Sequence, residues 1–186
     1  MKRWGLVIAL VLAGCSGDDT DDDTTMNADA GPTACGTITQ TDSRGAAHVS
    51  EPTPIDYVDS PPSSGNHRPQ WAKWGEYSEL GPDRWLHNLE HGGAAFLYAP
   101  GDPDDVAAGM RTFATSRPAD TGGAFRYILA PYDGLPQPIA VVTWEWTYLA
   151  DEVCTDDIEA FLTAHYRRAP EDVASDGAFA ENWITR

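Results

Sequence analysis

The chain has 186 residues, with 29 acidic and 12 basic side chains and a formal net charge of −17. This length suits one domain of ordinary size, or one domain with a tail. Binding to nucleic acid and docking on anionic lipid through a basic patch are excluded, because both need clustered lysine and arginine. Hydrophobic residues make up 41% of the chain, and seven residues are tryptophan. A composition this apolar and aromatic predicts a folded domain.

The first residues have the features of a bacterial lipoprotein signal. Lys2 and Arg3 precede an apolar run over residues 4–13, which is too short to span a bilayer comfortably. Small residues then lead into Cys15. We therefore expect a signal peptide over residues 1–14, a lipid on the Cys15 thiol, and an exported protein anchored at the periplasmic side of a membrane or at the cell surface. An ordinary signal peptide with a coincidental cysteine is the alternative.

An acidic segment follows the lipidation site. Residues 16–34 contain six aspartates and no aromatic or branched aliphatic side chain. Such a segment cannot bury enough apolar surface to offset the entropy of ordering, so we expect residues 15–34 to form a disordered tether. The aspartate spacing does not match an EF-hand calcium loop. A single globular domain is then expected over residues 35–186.

Cys35 and Cys154 remain available to that domain. Two thiols in an oxidising compartment usually pair, so we predict a disulfide between them. The bond would close a long loop and, in the chain-entropy model, would stabilise the fold by roughly 4–5 kcal/mol. A pair of thiolate metal ligands is the alternative, although the sequence has no C-x-x-C motif.

The domain alternates irregular segments, strands and helices. Residues 43–83 are rich in proline, glycine and serine, with Trp71, Trp74 and Tyr77 among them, which predicts an irregular segment packed by its aromatic side chains. Apolar runs predict strands over 93–98, 125–130 and 139–149, and helical signals predict helices over 102–117 and from Thr155 to near Arg168. We expect an α+β fold in which a small, mostly antiparallel sheet carries two helices on one side, preceded by the irregular aromatic-rich segment.

One short motif suggests metal chemistry. Residues 87–91 read H-N-L-E-H and match H-x-x-E-H, the inverted zinc-protease pattern in which two histidines bind zinc and the glutamate activates water. Gly92 and Gly93 follow at once, which argues against a helix through this segment, and no third ligand stands out downstream. A zinc hydrolase is therefore the lesser alternative, and an enzyme is less favoured than a binding protein.

The same histidines can form a metal site without the chemistry of a protease. One helical turn would place His87 and His91 on the same side, and His67 lies in a loop that can aim its side chain. Three imidazoles with Glu90 as a ligand or an orienting partner suit zinc or copper. We therefore predict that His67, His87, His91 and Glu90 form a copper or zinc site. The alternative is that these histidines bond to the backbone and close a polar core.

The other histidines, Met110 and the common catalytic motifs indicate no further functional site. His48 lies in a polar stretch and is expected to be exposed, whereas His165 and Met110 lie on apolar helix faces and are expected in the core. The sequence contains no G-x-S-x-G nucleophile motif, no phosphate-binding P-loop and no dinucleotide-binding glycine motif.

Several short motifs occur together in a specific order. They are PPSSGNHRP at 61–69, WGEY at 74–77, HNLEHGG at 87–93, APY at 130–132 and PE at 170–171. In this combination the chain resembles the bacterial family of domains of unknown function numbered 3105, over about residues 50–172. The resemblance implies an exported or membrane-anchored protein and supplies no established activity. It also implies that His67, His87, Glu90 and His91 lie in motif segments of the family, although Asn66 stands where its loop is expected to have proline.

Three hypotheses follow. The first is a lipid-anchored envelope protein that binds copper or zinc. The second is a metal-free binding or assembly module, whose aromatic-rich segment holds an envelope protein or a glycan; an exposed tryptophan patch would favour it. The third is the zinc hydrolase, which needs a helix through residues 84–91 and an open coordination position.

Overall fold

The computed structural model describes residues 31–101 and 104–185. The predicted signal peptide, Cys15 and most of the predicted tether lie outside these residues. Gly31 and Pro32 pair with the strand that follows them, upstream of residue 35 where the domain was expected to begin. Within the described ranges, no helix combines the length and the apolar composition that crossing a membrane requires.

One sheet of eight strands runs through the described domain, with three helices packed on it. The elements in chain order are β1 (Gly31–Pro32), β2 (Gly36–Gln40), β3 (Gly75–Tyr77), α1 (Pro82–Glu90), β4 (Ala94–Tyr98), α2 (Asp104–Ser116), β5 (Tyr127–Pro131), β6 (Ile139–Thr143), β7 (Trp146–Ala150), α3 (Thr155–His165) and β8 (Trp183–Ile184). The strand order in the sheet is β1-β2-β7-β6-β4-β5-β3-β8. β5 is parallel to both β4 and β3, and the other neighbours are antiparallel. The α+β class is confirmed, with a mixed sheet.

The central strands contribute side chains to two separate hydrophobic cores, one on each face of the sheet. Successive side chains of a strand point to opposite faces, so Phe96 enters one core and Leu97 the other. Phe113 of α2 and Phe161 of α3 pack in the first core, whereas Trp85 of α1 packs in the second. The expectation of two helices on one side was therefore incomplete, because a third helix covers the opposite face.

Helix α1 is the element that the glycine pattern argued against. Pro82 occupies its first turn, where the missing N–H costs no hydrogen bond. The helix ends at Glu90, with His91 as its C-cap, and Gly92 follows with a φ of 84°. The Gly92 N–H donates to the Leu89 carbonyl at 2.9 Å. The argument against a helix was wrong, because a glycine in this conformation terminates a helix without preventing it.

The apolar run over 139–149 forms two strands, not the single strand that was expected. β6 and β7 pair antiparallel, and the chain reverses at Trp144 and Glu145, where Glu145 has a φ of 64°. Tight hairpin turns need residues with positive φ, and these positions are usually occupied by asparagine or glycine. Neither residue marks this turn, so alternation alone suggested one strand. As a result, Trp144 and Tyr148, which a single strand would place on one face, pack in opposite cores.

The predicted disulfide is present. The sulfurs of Cys35 and Cys154 are 2.10 Å apart, and the bond links residues separated by 119 positions. It joins the segment between β1 and β2 to the start of α3, where Asp157 accepts hydrogen bonds from the Cys35 N–H (2.8 Å) and the Thr33 hydroxyl (2.7 Å). Because both sulfurs are covalently paired, the alternative of two thiolate metal ligands does not apply in this structure.

Candidate metal centre

The C-terminal end of α1 carries three polar side chains of the site. His87 and Glu90 lie in its last turn and His91 caps it, so their spacing places them on one side of the helix. All three are buried, with at most 6% of their surface exposed. Trp85 and Leu89 anchor the same helix in the second core. The polar side chains are therefore presented by a rigid element.

A parallel bridge between two irregular segments brings His48 beside His67. The Val49 N–H donates to the His67 carbonyl at 2.8 Å, and the His67 N–H donates to the Ala47 carbonyl at 3.1 Å. The side chain of His67 is fully buried, whereas that of His48 is 48% exposed. Arg68 strengthens the link by donating to the Val49 carbonyl at 3.2 Å. Backbone pairing thus places two histidines that lie far apart in the sequence.

Four side chains converge on one point, and we call His48, His67, His87 and Glu90 the inner cluster. Their potential ligand atoms all lie within 4.8 Å of one another. Oε2 of Glu90 is 3.0 Å from Nε2 of His67, 3.6 Å from that of His48 and 3.9 Å from that of His87. Ligands at about 2.0–2.1 Å from a tetrahedral ion are about 3.3 Å apart, which lies within this range. The inner cluster could hold a metal ion.

Backbone carbonyls orient two of the rings. Nδ1 of His67 is 2.8 Å from the Gly65 carbonyl oxygen, and Nδ1 of His87 is 2.7 Å from that of Arg68. A carbonyl only accepts hydrogen bonds, so each Nδ1 carries a proton. In a neutral ring, Nε2 then keeps a lone pair. Nε2 of His67 is 3.0 Å from the carboxylate of Glu90, and Nε2 of His87 is 3.2 Å from that of His91. The same pattern orients metal-binding histidines in other proteins.

Burial keeps these rings neutral. Loss of hydration lowers the pKa values of His67 and His87, and together with the neighbouring His87 it lowers the pKa of His91 to about 4. The same loss of hydration raises the pKa of Glu90. Two buried imidazoles therefore lie within 4 Å of a buried carboxyl group. A positive charge at this point, either a proton on Glu90 or a metal ion, relieves their mutual repulsion.

His91 and Glu171 lie at the margin of the inner cluster, and we call them the outer pair. Nε2 of His91 is 3.2 Å from Nε2 of His87 and 3.1 Å from Oε2 of Glu171. Nδ1 of His91 is buried and has no hydrogen-bond partner among the residues that the structure describes. The polar contacts of the His91 ring are thus made by Nε2, the nitrogen nearest the cluster, to His87 and Glu171.

An aromatic ring covers one side of the site. The ring of Trp71 lies 5.0 Å from that of His87 and 4.5 Å from that of His91. The buried carboxamide of Asn88 holds the next residue, Ala72, to α1. It accepts a hydrogen bond from the Ala72 N–H at 3.0 Å and donates one to the Ala72 carbonyl at 2.8 Å. Helix α1 thus fixes both the histidines and the indole that shields them from water.

The structure brings together three of the four predicted ligands. His67, His87 and Glu90 meet in the inner cluster, whereas His91 contacts His87 from outside it. His48 was expected to be exposed and was given no part in the site. It is indeed half exposed, yet its ring joins the cluster. A bridge between irregular segments leaves no periodic pattern, so the sequence contained no signal for this residue.

A family model matches residues 48–178 of the chain. The chain belongs to the DUF3105 family. That family is described as a protein of unknown function, so membership confirms the predicted relationship and supplies no activity. The matched range of this DUF3105 protein includes the whole inner cluster and the outer pair. Neither a curated protein nor a solved structure matches the chain.

Proposed function

We propose that this DUF3105 protein is a lipid-anchored protein of the bacterial envelope that binds one divalent transition-metal ion, Zn²⁺ or Cu²⁺. The proposed ligands are Nε2 of His48, His67 and His87 and the carboxylate of Glu90. A lipid on Cys15 would hold the domain at the membrane through the acidic tether. The disulfide fits this location, because such bonds persist in exported proteins.

The convergence of unprotonated nitrogens on a carboxylate carries the metal proposal. Nδ1 of His67 and of His87 each faces a carbonyl, which leaves Nε2 as an acceptor in the neutral ring. Both Nε2 atoms lie within 4 Å of Oε2 of Glu90, which is also an acceptor when ionised. Without a metal ion, the same lone pairs need a proton on Glu90 and an N–H of His91 as donors. A divalent cation satisfies all of these lone pairs at once.

The ligand chemistry favours zinc and cupric copper. Three imidazoles and one carboxylate suit both ions, and Cu²⁺ generally binds such a set more tightly than Zn²⁺. Cuprous copper prefers sulfur ligands. Cys35 and Cys154 are paired with each other, and Met110 is buried in the first core. Within residues 31–101 and 104–185, the inner cluster therefore contains no sulfur ligand.

The number of ligands favours holding an ion over catalysis. Structural zinc sites have four protein ligands, whereas catalytic sites have three and keep a position open for water. The inner cluster offers four. The hydrolase hypothesis also needs Glu90 as a base that activates water, whereas here its carboxylate lies among the histidine nitrogens as a fourth ligand. α1 supplies the helix that this hypothesis requires, but the surrounding geometry supports binding.

The metal-free binding module lacks the feature that would favour it. Among the described residues, the one large hydrophobic side chain classed as exposed is Val58, at 79%. Trp71 and Trp74 of the irregular segment are partly buried, and Trp71 packs on the rings of His87 and His91. The aromatic side chains thus support the site from within.

Equilibrium titration tests the proposal. The metal-free full chain is titrated with Zn²⁺ and with Cu²⁺ in competition with a chromophoric chelator, and its folding is checked by circular dichroism. We expect tight binding of about one ion per chain, and a loss of tight binding in folded His67→Ala and His87→Ala variants. Wild-type protein that binds neither ion would overturn the proposal, as would variants that bind as tightly as wild type.

A further inference from the structure

We propose that the outer pair, His91 and Glu171, is a second, weaker metal position through which the ion enters and leaves the inner cluster. This inference rests on the proposed metal-binding function and adds to it a route for the ion. The outer pair supplies one nitrogen and one oxygen ligand, which suit the same divalent ions as the inner cluster.

The distances describe a continuous chain of ligand atoms. Oε2 of Glu171 is 3.1 Å from Nε2 of His91, and that nitrogen is 3.2 Å from Nε2 of His87. Both separations are close to the spacing of about 3.3 Å between two ligands of one tetrahedral ion. An ion held by the outer pair therefore lies one ligand exchange away from His87. His87 belongs to the inner cluster, so it connects the two positions.

Exposure falls along this chain toward the inside. The side chain of Glu171 is 53% exposed, that of His91 is 5% exposed and that of His87 is 4% exposed. A hydrated ion can reach the carboxylate of Glu171 directly and lose its water in stages as it moves inward. Two protein ligands hold an ion weakly and four hold it tightly, so the transfer is energetically downhill. The negative charge of the whole protein favours the approach of cations.

Glu171 is held in place by the residues that carry the ligands. Its N–H donates to the Glu90 carbonyl at 3.1 Å. Buried Arg126 donates to the His91 carbonyl at 2.8 Å and to the carboxylate of Asp172 at 2.7 Å. These bonds tie the segment that carries Glu171 to the end of α1. The backbone of Glu171 is thus fixed beside the site, and its carboxylate lies 3.1 Å from Nε2 of His91.

His48 offers the competing route. Its side chain is 48% exposed and belongs to the inner cluster itself. An ion that entered beside His48 would meet all four ligands directly and would not need the outer pair. The two routes make different predictions for a variant of Glu171, because only one of them passes through its carboxylate.

Rapid mixing of the full-length protein with Cu²⁺ tests the proposal. Binding is followed by quenching of tryptophan fluorescence, for which Trp71 is the nearest reporter, and dissociation is followed after addition of excess chelator. In Glu171→Gln we expect the association and dissociation rate constants to fall together by about tenfold, while the Kd changes by less than about threefold. Glu79→Gln makes the same charge change on an exposed side chain outside the site and is expected to match wild type.

Each other outcome overturns the proposal in a distinct way. Wild-type rates in Glu171→Gln would place the entrance elsewhere, such as beside His48. A large loss of equilibrium affinity in Glu171→Gln would make Glu171 a ligand of the tight site. Equal effects in Glu79→Gln would reduce the role of Glu171 to its charge. A wild-type protein without any equilibrium binding of Cu²⁺ would overturn the proposed function as well, which separates that failure from the first three.

Discussion

Replacing Glu90 by glutamine is expected to have opposite effects on the metal-free and metal-bound protein. Glutamine has nearly the same shape and helix propensity as glutamate. Without metal, burial disfavours the charged form of Glu90, as its raised pKa indicates. The amide of glutamine can donate to Nε2 of His67, which lies 3.0 Å from the carboxylate. The metal-free Glu90→Gln protein should therefore be at least as stable as wild type.

The metal-bound protein should lose most of the stability that the ion adds. At a free metal concentration one hundred times the Kd, binding stabilises wild type by about 2.7 kcal/mol. Removal of an outer partner of a metal ligand already weakens binding by about 10–100-fold, so loss of an anionic ligand should cost at least about 100-fold. At the same metal concentration, Glu90→Gln would then gain about 0.4 kcal/mol. For a domain of this size the metal-induced rise in Tm shrinks by about 5–9 °C.

Thermal unfolding with and without Zn²⁺ measures both effects in one experiment. Glu79→Gln is the matched control, because it removes the same charge from an exposed side chain and should keep the full metal-induced rise. The reasoning would be refuted if Glu90→Gln lowered the Tm of the metal-free protein by many degrees and kept the full rise with Zn²⁺. Glu90 would then be a structural residue and not a ligand.

Three further predictions concern the fold around the site. As pH falls from about 6.5 to 4, the metal-free protein should lose stability, because burial lowers the pKa values of His67, His87 and His91, so these rings bind protons more readily in the unfolded chain. The raised pKa of Glu90 acts in the opposite direction but belongs to one group against three, and a flat profile of unfolding free energy against pH would contradict this prediction. Replacing both Cys35 and Cys154 by serine should cost roughly 4–5 kcal/mol in denaturant unfolding without abolishing metal binding, and an unchanged midpoint would count against the entropic account. Gly93→Ala should cost about 1–3 kcal/mol, because its Cβ would lie 2.5 Å from an indole ring, whereas Gly123→Ala, with open space around it, should be neutral.

The central strands and two of the helices could be predicted because local patterns determine them. The apolar run over 93–98 forms β4, and helical spacing identified α2 and α3. The failures occurred where the signal was missing or ambiguous. The turn at Glu145 has no glycine or asparagine, and the glycines after His91 argue against a helix that they in fact terminate.

The candidate site was partly predictable for a similar reason. The spacing of His87 and His91 suggested a shared side of one helical turn, and their Nε2 atoms are indeed 3.2 Å apart. The loop around His67 suggested an aimed side chain, and His67 does join the cluster. His48 reaches the cluster only because its segment pairs with that of His67. Glu171 reaches His91 from a segment near the end of the domain. Contacts between distant irregular segments depend on the whole fold and leave no local pattern.

Metal content is the most direct test of the central claim. The full chain is produced without a histidine tag in an oxidising compartment, reconstituted with Zn²⁺ or Cu²⁺, and its metal is quantified by mass spectrometry. His67→Ala tests a ligand, and His165→Ala is the control, because His165 is also buried but stacks on Trp146 in the first core, away from the cluster. We predict about one ion per chain in wild type and in folded His165→Ala, and none in folded His67→Ala. Wild-type protein without metal after reconstitution, or equal loss in both variants, would contradict a metal site at the inner cluster.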